Sequence, residues 1–233
     1  MSRNHPPLPC NPYYEGVPDY MTEVYDWAYV NPRRAALLDR NLVVSTLLFL
    51  NDQRLMRRYL QHIRPGMRVW QVAHVYGDLV SRAAEKVGNN GTFVLTDITP
   101  VQVEHGARKL ASYPQAQVIR ADAASFRMEQ QADLICSFFL LHEVPDALKH
   151  RIVDNMLSQL PVGGKAIFVD YHRPAAWQPI GYLLKWVNRV LEPFAEALWR
   201  NDIATYASQA ENFSWHKETL FGGVYQVVVA SRH

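Results

Sequence analysis

The chain has 233 residues, 48% of them apolar and 20% charged, which suits one core with additions and excludes disordered, collagenous and disulfide-scaffold classes. Lys and Arg number 24 against 22 Asp and Glu, so the net charge of +2 carries no nucleic-acid signature. Cys10 and Cys136 are too few for a disulfide framework or a cysteine-built zinc site, and with no signal peptide in evidence a reducing cytoplasm is expected. Pro6, Pro7, Pro9, Pro12 and Pro18 forbid a regular helix over the first twenty residues, which read as an arm. Tyr20, Tyr25, Trp27 and Tyr29 predict a short helix pinned to the body, or a lid over a ligand site. Residues 33–64 read as mostly helical, through Leu42, Leu47, Leu50, Leu55 and Tyr59, and Pro65-Gly66 ends them. The apolar run at 42–50 is too short for a bilayer, which needs about 20 residues.

From residue 67 the pattern changes. Buried strands are expected at 68–73, 92–97, 117–120, 133–137 and 165–170, with helices at 79–87, 101–113 and 147–160 between them. Strands alternating with helices at this spacing imply an α/β fold with a mostly parallel sheet. Residues 180–200 read as one long amphipathic helix carrying Tyr182, Trp186 and Trp199, aromatics of the kind found at bilayer interfaces. Two strands around Gly222-Gly223 are expected at 219–231. The organisation predicted is a helical arm and lid at 1–66 and an α/β domain at 67–233 with a cap insertion near 174–216.

Ligands of open α/β sheets bind beyond the carboxyl ends of the strands. The candidates after the first strand are Ala73, His74, Val75, Tyr76, Gly77 and Asp78. Asp97 closes the second strand 20 residues beyond Gly77, a distance at which a carboxylate accepts from ribose hydroxyls, and Ile98 follows it. Asp122 and Ala123 follow the third strand, where a carboxylate suits an adenine amine. A nucleoside-type cofactor is therefore expected.

The segment VWQVAHVYGDLV, with Asp97 and Asp122 behind it and LPVGGKAIFVD later, resembles the class I S-adenosylmethionine (SAM) dependent methyltransferases. Within them it is similar to the quinone methyltransferases of ubiquinone and menaquinone synthesis, as is YDWAYVNPRRAALLDR. The resemblance implies a Rossmann-like methyltransferase fold. That first motif normally reads acidic-x-Gly-x-Gly-x-Gly. Here Gln71 stands at the acidic position, Ala73 and Val75 replace two glycines, and Gly77 is retained. VAHVYGDLV resembles the rhodoquinone biosynthesis (RquA) family. That resemblance implies replacement of a ubiquinone ring methoxy by an amino group, SAM supplying the nitrogen as co-substrate and Mn2+ assisting. A polyprenyl quinone substrate implies a protein peripheral at the inner membrane.

Two clusters sit after adjacent strands: His142 with Glu143, and Asp170 with His172. These four are the expected ligands of a hard divalent cation. His142 or His172 is the expected base and Tyr76 a further catalytic candidate. A conventional quinone or phenol methyltransferase and a non-catalytic quinone-binding module are the alternatives.

Overall fold

The computed structural model describes residues 13–25, 30, 35, 36, 38–181 and 194–233. The proline arm up to Pro12, Trp27, Tyr29, and most of the expected amphipathic helix lie outside the described residues.

Helix α1 (Asp19–Val24) buries Met21, and Tyr25 just beyond it is fully buried. The helical stretch expected at 33–64 is divided. Helix α2 (Asn41–Leu47) and helix α3 (Asp52–Leu60) are separated at Phe49 and Leu50, which both take positive φ, 50° and 61°. The Asn51 side chain satisfies the loosened carbonyls of Leu48 and Phe49 at 3.3 and 2.9 Å. A local side-chain acceptor or donor of this kind is what lets the chain leave the helix there.

The α/β body follows. Strand β1 (Arg68–Val72) leads to helix α4 (Leu79–Val87), which Gly88 ends at φ 69°. Strand β2 (Thr92–Asp97) leads to helix α5 (Pro100–Leu110), with Pro100 in its first turn. Strand β3 (Ala116–Arg120) and strand β4 (Leu134–Phe138) come next, then a 3-10 turn at Leu141–Glu143. Helix α6 (Asp146–Ser158), strand β5 (Lys165–Tyr171) and the short helix α7 (Glu196–Arg200) follow. Strand β6 (Phe213–Leu220) and strand β7 (Tyr225–Arg232) close the chain, β6 beginning six residues before the strand pair expected at 219.

The sheet order is β3-β2-β1-β4-β5-β7-β6. The first five strands are parallel, and β7 runs antiparallel to both neighbours. The central strands are continuous apolar runs because both faces are covered, as a parallel sheet requires. Val69, Cys136 and Ile167 face α3 and α4 in one core cluster, and Trp70, Ile135 and Phe168 face α6 in the other. The one polar atom of Trp70 donates to Thr96 Oγ1 at 2.9 Å, so the largest core side chain leaves no unmet donor. Buried Lys149 donates to the carbonyls of Val144 and Phe194 and to Asp146, tying the start of α6 to Phe194. No helix of the described residues is long and apolar enough to cross a membrane.

Candidate active site

The carboxyl ends of β1, β2, β4 and β5 converge at one edge of the sheet, and β7 begins there because it runs the opposite way. The loop after β1 starts with Ala73 at φ 64°, the left-handed conformation at the position where the motif carries its first glycine. Gln71 Nε2 braces the turn from below, donating to the carbonyls of Val72 and Ala73 at 3.2 Å. Its Oε1 is buried and has no hydrogen-bond partner among the described residues.

The loop is then held from both sides. His74 N donates to Asp97 Oδ2 at 2.9 Å, and Thr99 N and Oγ1 both donate to Asp97 Oδ1 at 2.9 Å. Burial raises the Asp97 carboxyl above the usual range, and these donors pull it back only in part. Gly77 N donates to Asp39 Oδ1 at 2.9 Å. Lys109 donates to Asp39, to His74 Nε2 at 3.1 Å and to the Val75 carbonyl at 3.3 Å. His105 Nδ1 meets Asp39 Oδ2 at 3.2 Å. His74 Nδ1 meets Gln102 Oε1 at 2.8 Å, and Gln102 Nε2 donates to the Tyr76 hydroxyl at 2.8 Å. Burial first, then the Lys109 charge, push His74 down to about 3, so it is neutral. The Val75 side chain is packed into the core with Leu79 and Met56. Sequence reasoning missed Asp39, Gln102, His105 and Lys109, which come from two helical regions with no motif spacing to mark them.

Asp78 lies at the start of α4, 3.8 Å from Arg82. The Ile98 carbonyl accepts from Arg120 Nε at 3.1 Å. Asp122 Oδ1 accepts from Ala124 N at 2.8 Å, and the Ala123 carbonyl accepts from Asn155 at 2.8 Å, so the loop after β3 is fixed in place. Tyr20, from α1, packs edge-on to Phe194 at 6.3 Å. Its hydroxyl is pushed up by burial and then by the charges of Glu143, Asp122 and Asp97.

Across the mouth, His142 Nδ1 meets Asp170 Oδ1 at 2.8 Å, and its Nε2 stands 3.7 Å from Glu143 Oε1. All three side chains are buried. Aromatic rings line the ground beside them. Tyr171 lies 4.8 Å edge-on from His142, Phe139 lies 5.1 Å from Tyr171, and Tyr225 lies 5.7 Å from Tyr171. Phe221 stacks on Tyr225 at 6.2 Å and on Phe49 at 6.0 Å. The Tyr225 hydroxyl is buried with no hydrogen-bond partner among the described residues.

Of the four expected metal ligands, His142, Glu143 and Asp170 are brought together, bonded to protein groups, and His172 is held elsewhere. Asp170 already accepts four hydrogen bonds, from Leu141 N, His142 N, His142 Nδ1 and Tyr171 N. His172 Nδ1 is bound to the Gly223 carbonyl at 2.9 Å, which ties β5 to the β6–β7 turn. Among the described residues no three or more His, Cys, Asp or Glu form a metal-holding group. The donor set does not fit a cation held by all four residues.

Residues 69–164 match the model of a methyltransferase domain. The ubiquinone/menaquinone biosynthesis C-methyltransferase UbiE of Idiomarina loihiensis is 27% identical over 187 residues, 76% of this chain and 73% of the relative. The protein of that name from Bordetella parapertussis is 30% identical over 166 residues, 69% of this chain and 62% of the relative. An O-methyltransferase family protein from Burkholderia thailandensis is similar in structure, with a TM-score of 0.65 and 12% identity, over 87% of this chain and 60% of that one. The fold is that of the class I SAM-dependent methyltransferases.

Proposed function

We propose that the protein transfers the amino group of SAM to a ubiquinone ring. The ring carbon–nitrogen bond forms as the methoxy group leaves with a proton as methanol. The bond from that nitrogen to the α-carbon of SAM then breaks with loss of a β-proton, which leaves the amino group on the ring and an unsaturated remnant of SAM. The reading rests on position 71. A neutral carboxamide, fully buried and with its oxygen unpartnered, stands where the resembled motif carries a carboxylate. A carboxylate there would favour a protonated ammonium, whereas a carboxamide oxygen accepts a hydrogen bond from a neutral amine as readily. A neutral amine is the form able to attack an electron-poor ring carbon.

Asp97 is the proposed holder of the ribose, Asp122 and Ala123 of the adenine, and the 73–78 loop of the amino-acid end. SAM supplies the transferred group. The wall of Phe139, Tyr171, Tyr225 and Phe221 suits a flat conjugated ring. Asp170 holds the proton of His142 on Nδ1, which leaves Nε2 to take a proton from the attacking nitrogen. The quinone implies a bilayer source for the substrate and a peripheral position at the membrane.

A second reading, methyl transfer to a quinone carbon, is favoured by the C-methyltransferase activity of the two UbiE relatives. One experiment separates the two. Purified protein is incubated with a short-chain ubiquinone and SAM labelled either on nitrogen or on the methyl group, and the quinone is analysed by mass spectrometry. Nitrogen label with loss of methoxy is expected. Methyl label without nitrogen label overturns amination in favour of methylation, and no label in either form overturns both.

A further inference from the structure

A cavity of about 470 Å³ opens between α6, the loop after β3 and the start of β6. Its place follows from the strand register. Phe213 begins β6 opposite Arg232, and Ser231 pairs with Lys165, the first residue of β5. This corner therefore belongs to the amino-terminal edge of the sheet, whereas the mouth described above lies at the carboxyl ends.

Arg151, Asp154, Asn155 and Ser158 supply one wall, because steps of three and four residues bring them to one face of α6. Arg127 comes from the loop after β3 and Arg232 from the end of β7. The fold thus brings three guanidinium groups to one cavity against the single carboxylate of Asp154. Like charges gathered in this way repel one another, and a bound anion relieves that.

The walls are fastened to one another. Asn155 Nδ2 donates to the carbonyls of Ala123 and Phe126 at 2.8 and 2.9 Å, which pins the backbone leading to Arg127. Asp154 Oδ1 accepts from Ser208 N at 2.7 Å, which pins the facing segment. Arg127 Nη1 donates to Ser158 Oγ at 2.6 Å, and Arg232 Nη1 to the Leu160 carbonyl at 2.5 Å. A guanidinium has five donors, so each of these two spends one on the protein and keeps the rest. Arg151 makes no hydrogen bond or ion pair among the described residues.

We infer that this cavity binds a small phosphomonoester with a polyhydroxyl body, a compound of the sugar-phosphate class. Guanidinium forks match phosphate oxygens in pairs, and three of them suit a dianion. Ser158, Ser208, Gln209 and Asn212 add side chains that pair with hydroxyls. Phe213 is the one ring among the residues lining the cavity, and it is buried, so no stacking face is offered to a nucleobase. The site is independent of the cofactor and quinone readings.

Ribose 5-phosphate is the probe, titrated into the full chain at fixed ionic strength and followed by backbone amide NMR. Saturable shifts are expected at Ala124, Ser208 and Arg232, and ribose alone should produce none. Arg151→Met should weaken binding about tenfold, the size of one charge-assisted hydrogen bond, with stability in urea unchanged. Asp154→Asn keeps an oxygen for Ser208 N and removes the opposing charge, so affinity should rise by up to about fivefold. Arg54→Met, which deletes an exposed arginine on α3, should bind as the wild type does.

Shifts confined to the 73–78 loop, equal affinity in Arg151→Met, or weaker binding in Asp154→Asn overturns the site. A loss in Arg54→Met as large as that in Arg151→Met would reduce the binding to general charge attraction and overturn it as well. Succinate, a dianion without phosphorus, binding as tightly as ribose 5-phosphate overturns the assignment to a phosphomonoester. No saturable shift with ribose 5-phosphate overturns the proposal outright.

Discussion

The carboxylate of Asp170 and the imidazole of His142 are joined at 2.8 Å between Oδ1 and Nδ1, while the other carboxylate oxygen accepts from Leu141 N at 2.9 Å. One strand end therefore holds both the side chain and the backbone of the turn after its neighbour. An acceptor at Nδ1 keeps the ring proton on that nitrogen and leaves Nε2 facing Glu143. Asp170 is occupied as an acceptor in this arrangement, which suits it to orienting His142.

Asp170→Asn tests that assignment. Its amide can donate to Nδ1 and so invert the tautomer. Turnover should fall by roughly 10²–10⁴, the usual contribution of a positioned base. Added manganese should leave the loss in place. A variant restored by higher manganese would mean that Asp170 is a ligand.

Tyr225→Phe separates substrate contact from packing. The hydroxyl is buried with no partner among the described residues, so deleting it should leave stability unchanged or raise it by up to about 1 kcal/mol. If the hydroxyl meets the quinone, KM for the short-chain quinone should rise about tenfold with urea stability intact. Unchanged KM would remove Tyr225 from the substrate site.

The rim of this aromatic ground offers a test of the proposed position at the membrane. Leu50 and Trp177 are 76% and 74% exposed, high for large apolar side chains. Leu50 adjoins Phe49, which stacks on Phe221, and a Cβ on Gly222 would lie 2.9 Å from the Trp177 ring. Both side chains thus flank the turn beside the proposed quinone wall, with exposed Arg54 and Arg173 nearby in the chain. Co-sedimentation with vesicles of anionic lipid should capture the protein, and Leu50→Asp with Trp177→Ala should release most of it. Equal capture of that double variant would move the contact elsewhere, with the helix expected at 180–200 as the next surface to test.

The alternation of apolar strands and helices was legible because a parallel sheet covered on both faces leaves continuous Val, Ile and Leu runs, and the helices at 79–87 and 147–160 stand within two residues of expectation. The break at Phe49 and Leu50 was not, since positive φ at two apolar residues has no compositional mark. Strand ends likewise marked Asp97, His142, Glu143 and Asp170. What sequence could not show is which lone pairs were already used. Asp170 and His172 look like ligands in a list and turn out to be bound to protein groups. Asp39, Gln102 and Lys109 carry no local pattern at all, because their meaning arises only where α5 crosses the loop after β1.

Asp39 gives the acid limb of stability. Burial raises its carboxyl, but hydrogen bonds from His105 and Lys109 outweigh that, and the net shift is downward from 3.8. A lowered carboxyl contributes stability above its ordinary value and loses it as pH falls through the folded-state value. Urea midpoints of the wild type should therefore drop below about pH 4 more steeply than those of Asp39→Asn. At neutral pH the variant should be less stable by about 3 kcal/mol, since it leaves Lys109 half-enclosed without its counter-charge. Parallel acid limbs in the two proteins would show that Asp39 is not the group titrating.

Ala73 makes the strain of the rebuilt loop measurable. An L-residue with a Cβ at φ 64° costs about 1–2 kcal/mol relative to the right-handed regions, and the penalty is absent in glycine. Glycine in turn gives the unfolded chain more freedom, worth about 0.5–1 kcal/mol. Ala73→Gly should therefore stabilise the protein by about 0.5–1 kcal/mol in urea titration. Ala73→Val, β-branched at the same φ, should destabilise it by more than that. The functional readout is separate. If position 71 decides between amino and methyl transfer, Ala73→Gly should change stability without changing which label from SAM enters the quinone. A switch from nitrogen to methyl label in Ala73→Gly would place the decision in the shape of the turn, and Gln71 would lose the role proposed for it.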